Sequence, residues 1–119
     1  MECICVTNLS ECNIDSYNTI IIDEGQFFSD LKEKVTEWVD NKIHVIVAGL
    51  DGDFQRNPIG QILELIPYSD VIIKLNSLCG ICVDGTEAPF TRRKNSSKDK
   101  ILVGGNDIYV PVCRKHYTN

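Results

Sequence analysis

The clearest pattern in the chain is a series of short apolar runs that each end in polar residues. The first covers residues 19–24 and finishes in two acids, the second covers residues 44–50, and the third covers residues 71–75. Uninterrupted aliphatic and β-branched runs of this length are typical of buried strands in a parallel sheet. We therefore predict three strands at these positions, and a short edge strand over residues 1–6.

Between the first two runs, apolar residues recur with the period of an α-helix, and we predict an amphipathic helix over residues 30–41. Asp30 and the serine before it are candidate caps, with Glu33 at the spacing of a capping box. A shorter helix is predicted over residues 59–66, ending at Pro67 because proline interrupts helical hydrogen bonding. Apolar strands that alternate with helices indicate an α/β fold with a parallel sheet.

The sequence changes character after Leu75. Cysteine pairs, glycine-rich turns and short β-like runs replace the longer apolar runs. We therefore expect two domains, a partial α/β core over residues 1–75 and a small β-rich lobe over residues 76–119. The β-like runs are at residues 88–92, 101–103 and 108–112.

Composition and charge narrow the range of functions. The 119-residue chain has a formal net charge of −5 and a sequence pI of about 4.9, which argues against a nucleic-acid-binding protein held by phosphate contacts. Its apolar runs are shorter than the roughly 20 residues that cross a bilayer. Met1 and the residues after it do not resemble a secretory signal. We expect a cytoplasmic protein with reduced cysteines and no nucleic-acid or membrane partner.

Two short motifs carry a stronger chemical signal. Cys79 and Cys82 form a C-x-x-C pair, and Cys113 and His116 form a C-x-x-H pair, with 30 residues between Cys82 and Cys113. Three thiolates and one imidazole suit a tetrahedral Zn²⁺ ion, and an ion with four protein ligands is structural rather than catalytic. The alternative is a group of buried cysteines with a chance histidine. The other cysteines are interpreted as small buried apolar residues, and they are Cys3, Cys5 and Cys12.

The first apolar run ends in Asp23 and Glu24. In open α/β sheets, ligands bind beyond the carboxyl ends of the strands. An aspartate in this position can hold Mg²⁺, and a glutamate beside it can take a proton from an attacking hydroxyl. The alternative is that both acids simply end a strand in solvent.

Four ordered segments point to one enzyme family. Residues 22–28 read Ile-Asp-Glu-Gly-Gln-Phe-Phe, and residues 49–56 read Gly-Leu-Asp-Gly-Asp-Phe-Gln-Arg. The two cysteine-containing pairs follow, and residues 101–109 read Ile-Leu-Val-Gly-Gly-Asn-Asp-Ile-Tyr. Together these segments resemble the zinc-containing, P-loop type of thymidine kinase found in animal cytosol, many bacteria and large DNA viruses. The resemblance covers essentially the whole chain, and residues 101–109 are similar to the family's thymidine-gripping loop.

This resemblance implies an incomplete P-loop (RecA-like) parallel sheet in residues 1–75 and a zinc-binding lobe with the gripping loop in residues 76–119. It implies the reaction ATP + thymidine → ADP + thymidine 5′-phosphate, with Glu24 as the general base, Mg²⁺ bound with ATP, and structural Zn²⁺. The residues implied to bind ATP or Mg²⁺ are Asp23, Glu24, Gly25, Gln26 and Arg93. Those implied to bind thymidine are Phe27, Leu50, Phe54, Lys100, Ile101, Leu102, Val103, Gly104 and Tyr109. The implied zinc ligands are Cys79, Cys82, Cys113 and His116.

The sequence departs from the family pattern in one respect. A glycine-rich loop ending in Gly-Lys-(Ser/Thr), which cradles nucleotide phosphates, is not found in these 119 residues. We therefore expect a truncated kinase, homo-oligomeric and tetrameric as the family commonly is, with thymidine and ATP as its partners. The alternative is a non-catalytic zinc-binding protein that binds nucleosides or pairs with kinase subunits. The resemblance also implies that the zinc lobe anchors the gripping loop.

Overall fold

The structure, a computed structural model, describes residues 1–94 and 108–118. The chain divides into two compact units. The first unit consists of Met1–Asp51 and Pro58–Ile72, and the second consists of Gly52–Asn57 and Ile73–Asn119. The two units are defined by how residues pack. The predicted domains, a kinase core over residues 1–75 and a lobe over residues 76–119, stay a prediction.

The first unit contains a small parallel sheet. Strand β1 (Thr19–Ile22) pairs with strand β2 (His44–Val47), with Thr19 opposite His44 and Ile22 opposite Val47. Helix α1 (Leu31–Asp40) lies between these strands in sequence, as two parallel neighbours require a crossover connection. The two predicted strands, the predicted helix and the α/β class are confirmed.

The core of the first unit forms around one face of α1. Leu31 is fully buried, Val35 and Trp38 follow it at helical spacing, and all three pack with Ile22 of β1. Leu9 and Leu65 complete the cluster from the 3₁₀ turns Leu9–Glu11 and Ile62–Tyr68. Burying an aliphatic side chain of this size contributes roughly 1.5–3 kcal/mol. The apolar stripe read from the sequence is therefore the stripe that fastens α1 to the sheet.

Asp30 occupies the N-cap position of α1, but its side chain makes no capping hydrogen bond to the helix, so the prediction that it caps α1 is wrong. Its carboxylate accepts hydrogen bonds from the backbone N–H groups of Leu9 at 3.1 Å and Ser10 at 2.9 Å. These donors are at the start of the 3₁₀ turn Leu9–Glu11, where N–H groups lack partners within the turn. Asp30 therefore caps a distant turn instead of its own helix.

The third predicted strand, residues 71–75, does not form, and that prediction is wrong. Val71, Ile73 and Leu75 are 76%, 75% and 86% exposed. A strand needs a neighbour that pairs with its backbone N–H and C=O groups, and the parallel sheet in residues 1–94 consists of β1 and β2. The edge strand predicted for residues 1–6 is wrong for the same reason.

The predicted short helix over residues 59–66 is a 3₁₀ helix, Ile62–Tyr68, and it continues through Pro67 instead of ending there. Gln61 precedes it, and the backbone N–H of Glu64 donates to the Gln61 carbonyl at 3.1 Å, three positions back. A 3₁₀ segment bonds each N–H to a carbonyl three positions back. Ser69 continues this pattern by donating to the Ile66 carbonyl at 3.2 Å, past the proline that lacks a donor.

The second unit is built from two short antiparallel ribbons and one helical turn. Strand β3 (Ser77–Leu78) pairs with β4 (Glu87–Ala88), and β5 (Phe90–Arg93) pairs with β6 (Tyr109–Val112). Helix α2 (Arg114–Thr118) follows β6 directly. The β-like runs predicted near residues 88–92 and 108–112 are confirmed, and the run at residues 101–103 lies outside the described residues. None of the helices in the described segments is long and apolar enough to cross a membrane.

Candidate functional site

The second unit brings its predicted metal ligands together. Cys79 and Cys82 are in the turn after β3, Cys113 joins β6 to α2, and His116 is on α2. Their ligating atoms all lie within 4.8 Å of one another. The Nδ1 atom of His116 is 3.6 Å from Cys79 Sγ, 3.3 Å from Cys82 Sγ and 3.4 Å from Cys113 Sγ. Cys82 Sγ and Cys113 Sγ are 3.9 Å apart.

These separations fit the edges of a zinc tetrahedron. Bonds of about 2.3 Å to sulfur and about 2.0 Å to nitrogen place sulfur atoms about 3.8 Å apart and sulfur and nitrogen about 3.5 Å apart. The four distances given above are 3.3 to 3.9 Å. The four residues can therefore hold a zinc ion. A fourth protein ligand leaves no open position for substrate, as in structural sites.

The thiols are electrostatically unequal. Burial raises the pKa of Cys79, but hydrogen bonds from the backbone N–H groups of Cys113, Cys82 and Ile81 and from His116 outweigh it and lower that pKa to about 5. Burial, followed by hydrogen bonding with Cys79 and Cys113, raises the pKa of Cys82 to about 11. Crowded thiols cannot all ionise without a cation among them. The donor set therefore has the chemistry of a metal centre.

Arg92 braces this centre from β5. Its guanidinium Nη1 donates a 2.8 Å hydrogen bond to the backbone carbonyl of His116. The neighbouring ring of Phe90 packs against Tyr117, with ring centroids 5.3 Å apart. The sequence does not predict this contact, because a run of basic residues does not show which side chain turns inward.

The remaining cysteines do not match their interpretation as buried apolar residues. Cys3 and Cys5 are exposed, and Cys12 is half-buried. For Cys3 and Cys5 the interpretation is wrong, because they lie in the N-terminal segment that does not pair as a strand. Burial raises the pKa of the Cys12 thiol, with a further contribution from the charges of Glu11 and Asp30.

In the first unit, the acids at the end of β1 lie in a tight turn. Glu24 has a left-handed backbone with φ of 51°, an uncommon conformation for a residue other than glycine. The Asp23 carboxylate accepts a 2.9 Å hydrogen bond from the Glu24 N–H. The 3₁₀ turn Gly25–Phe27 follows at once, and Gly25 donates to the Ala48 carbonyl beyond β2 at 2.9 Å. Strain of this kind clusters at functional sites.

Gln26 holds the Glu24 side chain. Its amide Nε2 donates to Glu24 Oε2 at 2.6 Å, and its Oε1 accepts from the Leu50 N–H at 3.1 Å. Gln26 is 6% exposed, whereas Glu24 is exposed. A Cβ atom on Gly49 would lie 2.3 Å from Gln26 Oε1, so only glycine leaves room for the amide. The sequence predicted Gln26 as an ATP-binding residue and did not predict its contacts with Glu24 and Leu50. The only feature of the sequence that points to them is a glutamine two positions after an acid.

The predicted thymidine-binding residues are divided between the units. Phe27 and Leu50, in the first unit, are 75% and 57% exposed. In the second unit the rings of Phe54 and Tyr109 are 5.9 Å apart, and the Arg93 guanidinium is 6.0 Å from the Phe54 ring. The others lie outside the described residues, and they are Lys100, Ile101, Leu102, Val103 and Gly104.

A family model, described as "Thymidine kinase", matches residues 2–117. This chain belongs to the thymidine kinase family. The match spans both acids of the β1 turn and all four predicted zinc ligands. The family resemblance read from the sequence motifs is confirmed.

Named thymidine kinases from plants and poxviruses are similar to this chain. It is 51% identical to "Thymidine kinase a" of Arabidopsis thaliana over 110 residues, covering 87% of this chain and 44% of the plant protein. Identity to the thymidine kinase of Oryza sativa subsp. japonica is 47% over 105 residues, 87% of this chain and 38% of that protein. Identity to the thymidine kinase of monkeypox virus is 44% over 104 residues, covering 87% of this chain and 58% of that protein. The chain therefore spans between about two fifths and three fifths of the length of these relatives.

Proposed function

We propose that this protein acts in thymidine phosphorylation, transferring the γ-phosphoryl group of ATP to the 5′-hydroxyl of thymidine. The observation that carries the proposal is the family match across residues 2–117. The β1 turn supports it, because an exposed carboxylate is held there at the end of a parallel strand. As part of the same proposal, the first unit is a portion of a P-loop (RecA-like) sheet.

Glu24 is the proposed general base. As the 5′-oxygen bonds to the γ-phosphorus, the bond from that phosphorus to the ADP oxygen breaks, and the hydroxyl proton passes to the Glu24 carboxylate. The hydrogen bond from Gln26 fixes one carboxylate oxygen at 2.6 Å and leaves the other for the substrate hydroxyl. A positioned base of this kind contributes typically 10²–10⁴-fold to a rate.

The residues proposed to serve ATP are Asp23, Gly25, Gln26 and Arg93. Asp23 would share in holding the Mg²⁺ that accompanies ATP, as acids after an apolar strand do in P-loop enzymes. Gly25 packs where a Cβ atom would lie 2.7 Å from Val47 Cγ1, so its backbone can stay close to β2. Gln26 acts chiefly through Glu24, since its buried amide already binds Glu24 and Leu50.

The residues proposed to serve thymidine are mainly apolar. Phe27 and Leu50 present exposed apolar side chains in the first unit, and Phe54 and Tyr109 form an aromatic pair in the second. Aromatic side chains of this kind stack on or flank planar rings such as thymine. By the family resemblance, residues 100–104 would add the backbone contacts of the gripping loop.

The zinc centre is proposed to be structural. Cys79, Cys82, Cys113 and His116 would hold Zn²⁺, which supplies a tetrahedral cross-link and no reaction chemistry at this position. The proposal also includes a cytoplasmic location and, by the family resemblance, a homo-oligomeric, tetrameric state.

The function is tested by two measurements on the purified chain. The first is transfer of labelled phosphate from Mg²⁺–ATP to thymidine, with Glu24→Gln as the variant and Glu33→Gln, on the exposed face of α1, as its matched control. The second is calorimetric titration with thymidine. We expect transfer in the wild type and in Glu33→Gln, and a fall of at least 10²-fold in Glu24→Gln.

The outcomes separate the competing functions. Equal transfer by the wild type and Glu24→Gln contradicts the role of Glu24 as base. Thymidine binding without any transfer supports the alternative, a zinc-containing nucleoside-binding protein without catalysis. If the wild type shows neither thymidine binding nor phosphate transfer, the proposed function is contradicted.

A further inference from the structure

One loop of the chain packs apart from its neighbours in sequence. Gly52–Asn57 belongs to the second unit, although the residues on both sides of it belong to the first. Phe54, one of the proposed thymidine contacts, is in this loop. The position of the Phe54 ring therefore depends on what holds the loop to the metal-binding unit.

The loop is itself a closed turn. The Asp53 carboxylate accepts hydrogen bonds from the N–H groups of Gln55 and Asn57, both at 2.8 Å. The Asp53 N–H donates in return to the Asn57 carbonyl at 2.9 Å. These hydrogen bonds lower the pKa of Asp53, the backbone bond from Asn57 contributing most. The amides of residues 53, 55 and 57 are protected only while these hydrogen bonds hold, so they report on whether the loop stays folded.

Tyr117 holds this turn. Its hydroxyl donates a 3.1 Å hydrogen bond to the Phe54 carbonyl, and the Arg56 guanidinium is 4.3 Å from the centre of its ring. Arg56 has φ of 67°, an uncommon backbone conformation for a residue other than glycine. The loop is therefore attached to Tyr117 at two points, on either side of Gln55.

Tyr117 in turn is attached to the metal centre. It follows His116 on α2, and its N–H donates to the Cys113 carbonyl at 2.9 Å. Zinc ligated by Cys113 and His116 would fix both residues, and with them the direction of the Tyr117 side chain. The structure thus connects the zinc ligands, Tyr117 and the Phe54 backbone within one unit.

We infer that Tyr117 is a positioning residue, through which the zinc centre sets the placement of Phe54. Its consequence for thymidine affinity rests on the proposed function, whereas the link between metal and loop does not. The link is distinct from the expected anchoring of the gripping loop, because it acts on residues 52–57. Tyr117 itself is not assigned a contact with substrate.

Hydrogen exchange on the full zinc-loaded chain tests the link directly. The readout is the exchange rate of the backbone amides of residues 53, 55 and 57 in the wild type, in Tyr117→Phe and in Tyr17→Phe. Tyr117→Phe removes only the hydroxyl, and Tyr17→Phe makes the same change in the first unit, where that hydroxyl bonds to Glu2. Zinc stoichiometry and the absorption spectrum of the Co²⁺-substituted protein report on the metal centre.

We expect exchange in the loop to accelerate several-fold in Tyr117→Phe and after chelation of zinc, and to stay unchanged in Tyr17→Phe. The zinc stoichiometry and the Co²⁺ spectrum of Tyr117→Phe should match the wild type. Unchanged loop exchange in Tyr117→Phe, or loss of its zinc, would overturn the inference. If Tyr117→Phe does not fold, Arg56→Met replaces it, because this variant removes the second attachment. We expect Arg56→Met to accelerate exchange of the same amides, and unchanged exchange in that variant would also overturn the inference.

Thymidine titration separates this inference from the proposed function. We expect Tyr117→Phe to weaken thymidine binding several-fold with its zinc retained. A wild type that does not bind thymidine contradicts the proposed function, while the exchange data still decide whether zinc and Tyr117 hold the loop. Faster loop exchange with unchanged thymidine affinity overturns the positioning role.

Discussion

The buried amide of Gln26 donates a 2.6 Å hydrogen bond to the exposed carboxylate of Glu24, two residues before it. The same amide accepts from the Leu50 N–H, so one side chain joins the ends of both strands. An isolated glutamate at this turn would sample several rotamers, and a proton acceptor needs one. The hydrogen bond therefore converts a strand-end acid into an oriented one.

Gln26→Leu should separate this orienting role from stability. Leucine fills a similar volume but leaves the Leu50 N–H without its acceptor, so we expect a loss of about 1–3 kcal/mol in the free energy of unfolding. If the proposed function holds, kcat should fall by about tenfold or more while KM for thymidine changes little. Urea unfolding and steady-state kinetics measure the two effects.

Gln61→Leu is the matched control for that variant. The Gln61 side chain also makes two hydrogen bonds, accepting from the Lys32 N–H and donating to the Ser29 carbonyl, and neither involves Glu24. We expect lower stability with an unchanged kcat. Equal losses of kcat in both variants would show that Gln26 matters only for folding.

Asp30 gives a prediction about pH. Partial burial raises its pKa, but hydrogen bonds from the N–H groups of Ser10 and Leu9 outweigh burial, and the net pKa is below its ordinary value. A carboxyl group with a depressed pKa in the folded state stabilises the protein above its unfolded pKa of about 3.9, and that contribution is lost as pH falls through the folded pKa.

Asp30→Asn should therefore lower the free energy of unfolding near pH 7, and should lower it less in acid. We expect a loss of about 1 kcal/mol near pH 7, because one charged acceptor becomes a neutral one, and a smaller difference from the wild type near pH 3. Urea unfolding at both pH values measures it. Asp40→Asn, at the other end of α1, makes the same change in charge. A pH-independent deficit in Asp30→Asn would contradict the explanation.

The sequence predicted those parts of the fold that depend on local pattern. Strands β1 and β2 and helix α1 were predicted because their apolar periods are visible in a few residues. The four metal ligands were predicted because paired ligands at short spacing are rare by chance. The family resemblance rested on similarly local motifs.

What the sequence could not predict depends on partners distant along the chain. The apolar run at residues 71–75 has a strand pattern, but a pattern does not reveal whether a neighbouring strand is available. Asp30 has the spacing of a helix cap, yet residues 21 and 20 positions away supply its donors. The roles of Gln26 and Tyr117 likewise arise from contacts 24 and 63 residues apart. The roles carried over from the family, including that of Glu24, stay predictions.

Loss of a zinc ligand should destabilise the second unit, whereas loss of an exposed thiol elsewhere should not. Cys113→Ser removes a ligand in the half-buried cluster, and Cys5→Ser makes the same change at an exposed cysteine. Structural zinc contributes roughly 10–16 kcal/mol of binding free energy to small metal-dependent folds. We expect Cys113→Ser to lose zinc and hydrogen-exchange protection in β3 to β6, and Cys5→Ser to keep both. Retention of one zinc per chain in Cys113→Ser would exclude this ligand set.

Gly60 provides a test of how tightly Gln26 is held. Gly60 has φ of +56°, and a Cβ atom there would lie 2.3 Å from the Gln26 carbonyl oxygen, a backbone atom that cannot rotate away. Gly85 also has a positive φ, of +89°, but a Cβ atom there would meet nothing within 4 Å. Alanine at either position adds backbone strain of roughly 1–2 kcal/mol. Only Gly60→Ala adds a collision, so we expect it to lower the free energy of unfolding by at least about 1 kcal/mol more than Gly85→Ala.

The collision should also reach Glu24, because Gln26 cannot shift without changing its hydrogen bond to that carboxylate. If the proposed function holds, Gly60→Ala should reduce kcat, and Gly85→Ala should leave kcat unchanged. Urea unfolding gives the stability difference, and phosphate transfer to thymidine gives the rate. Similar stability losses in the two variants would mean that the turn around Gln26 can yield, and that Glu24 is oriented less firmly than its 2.6 Å hydrogen bond indicates.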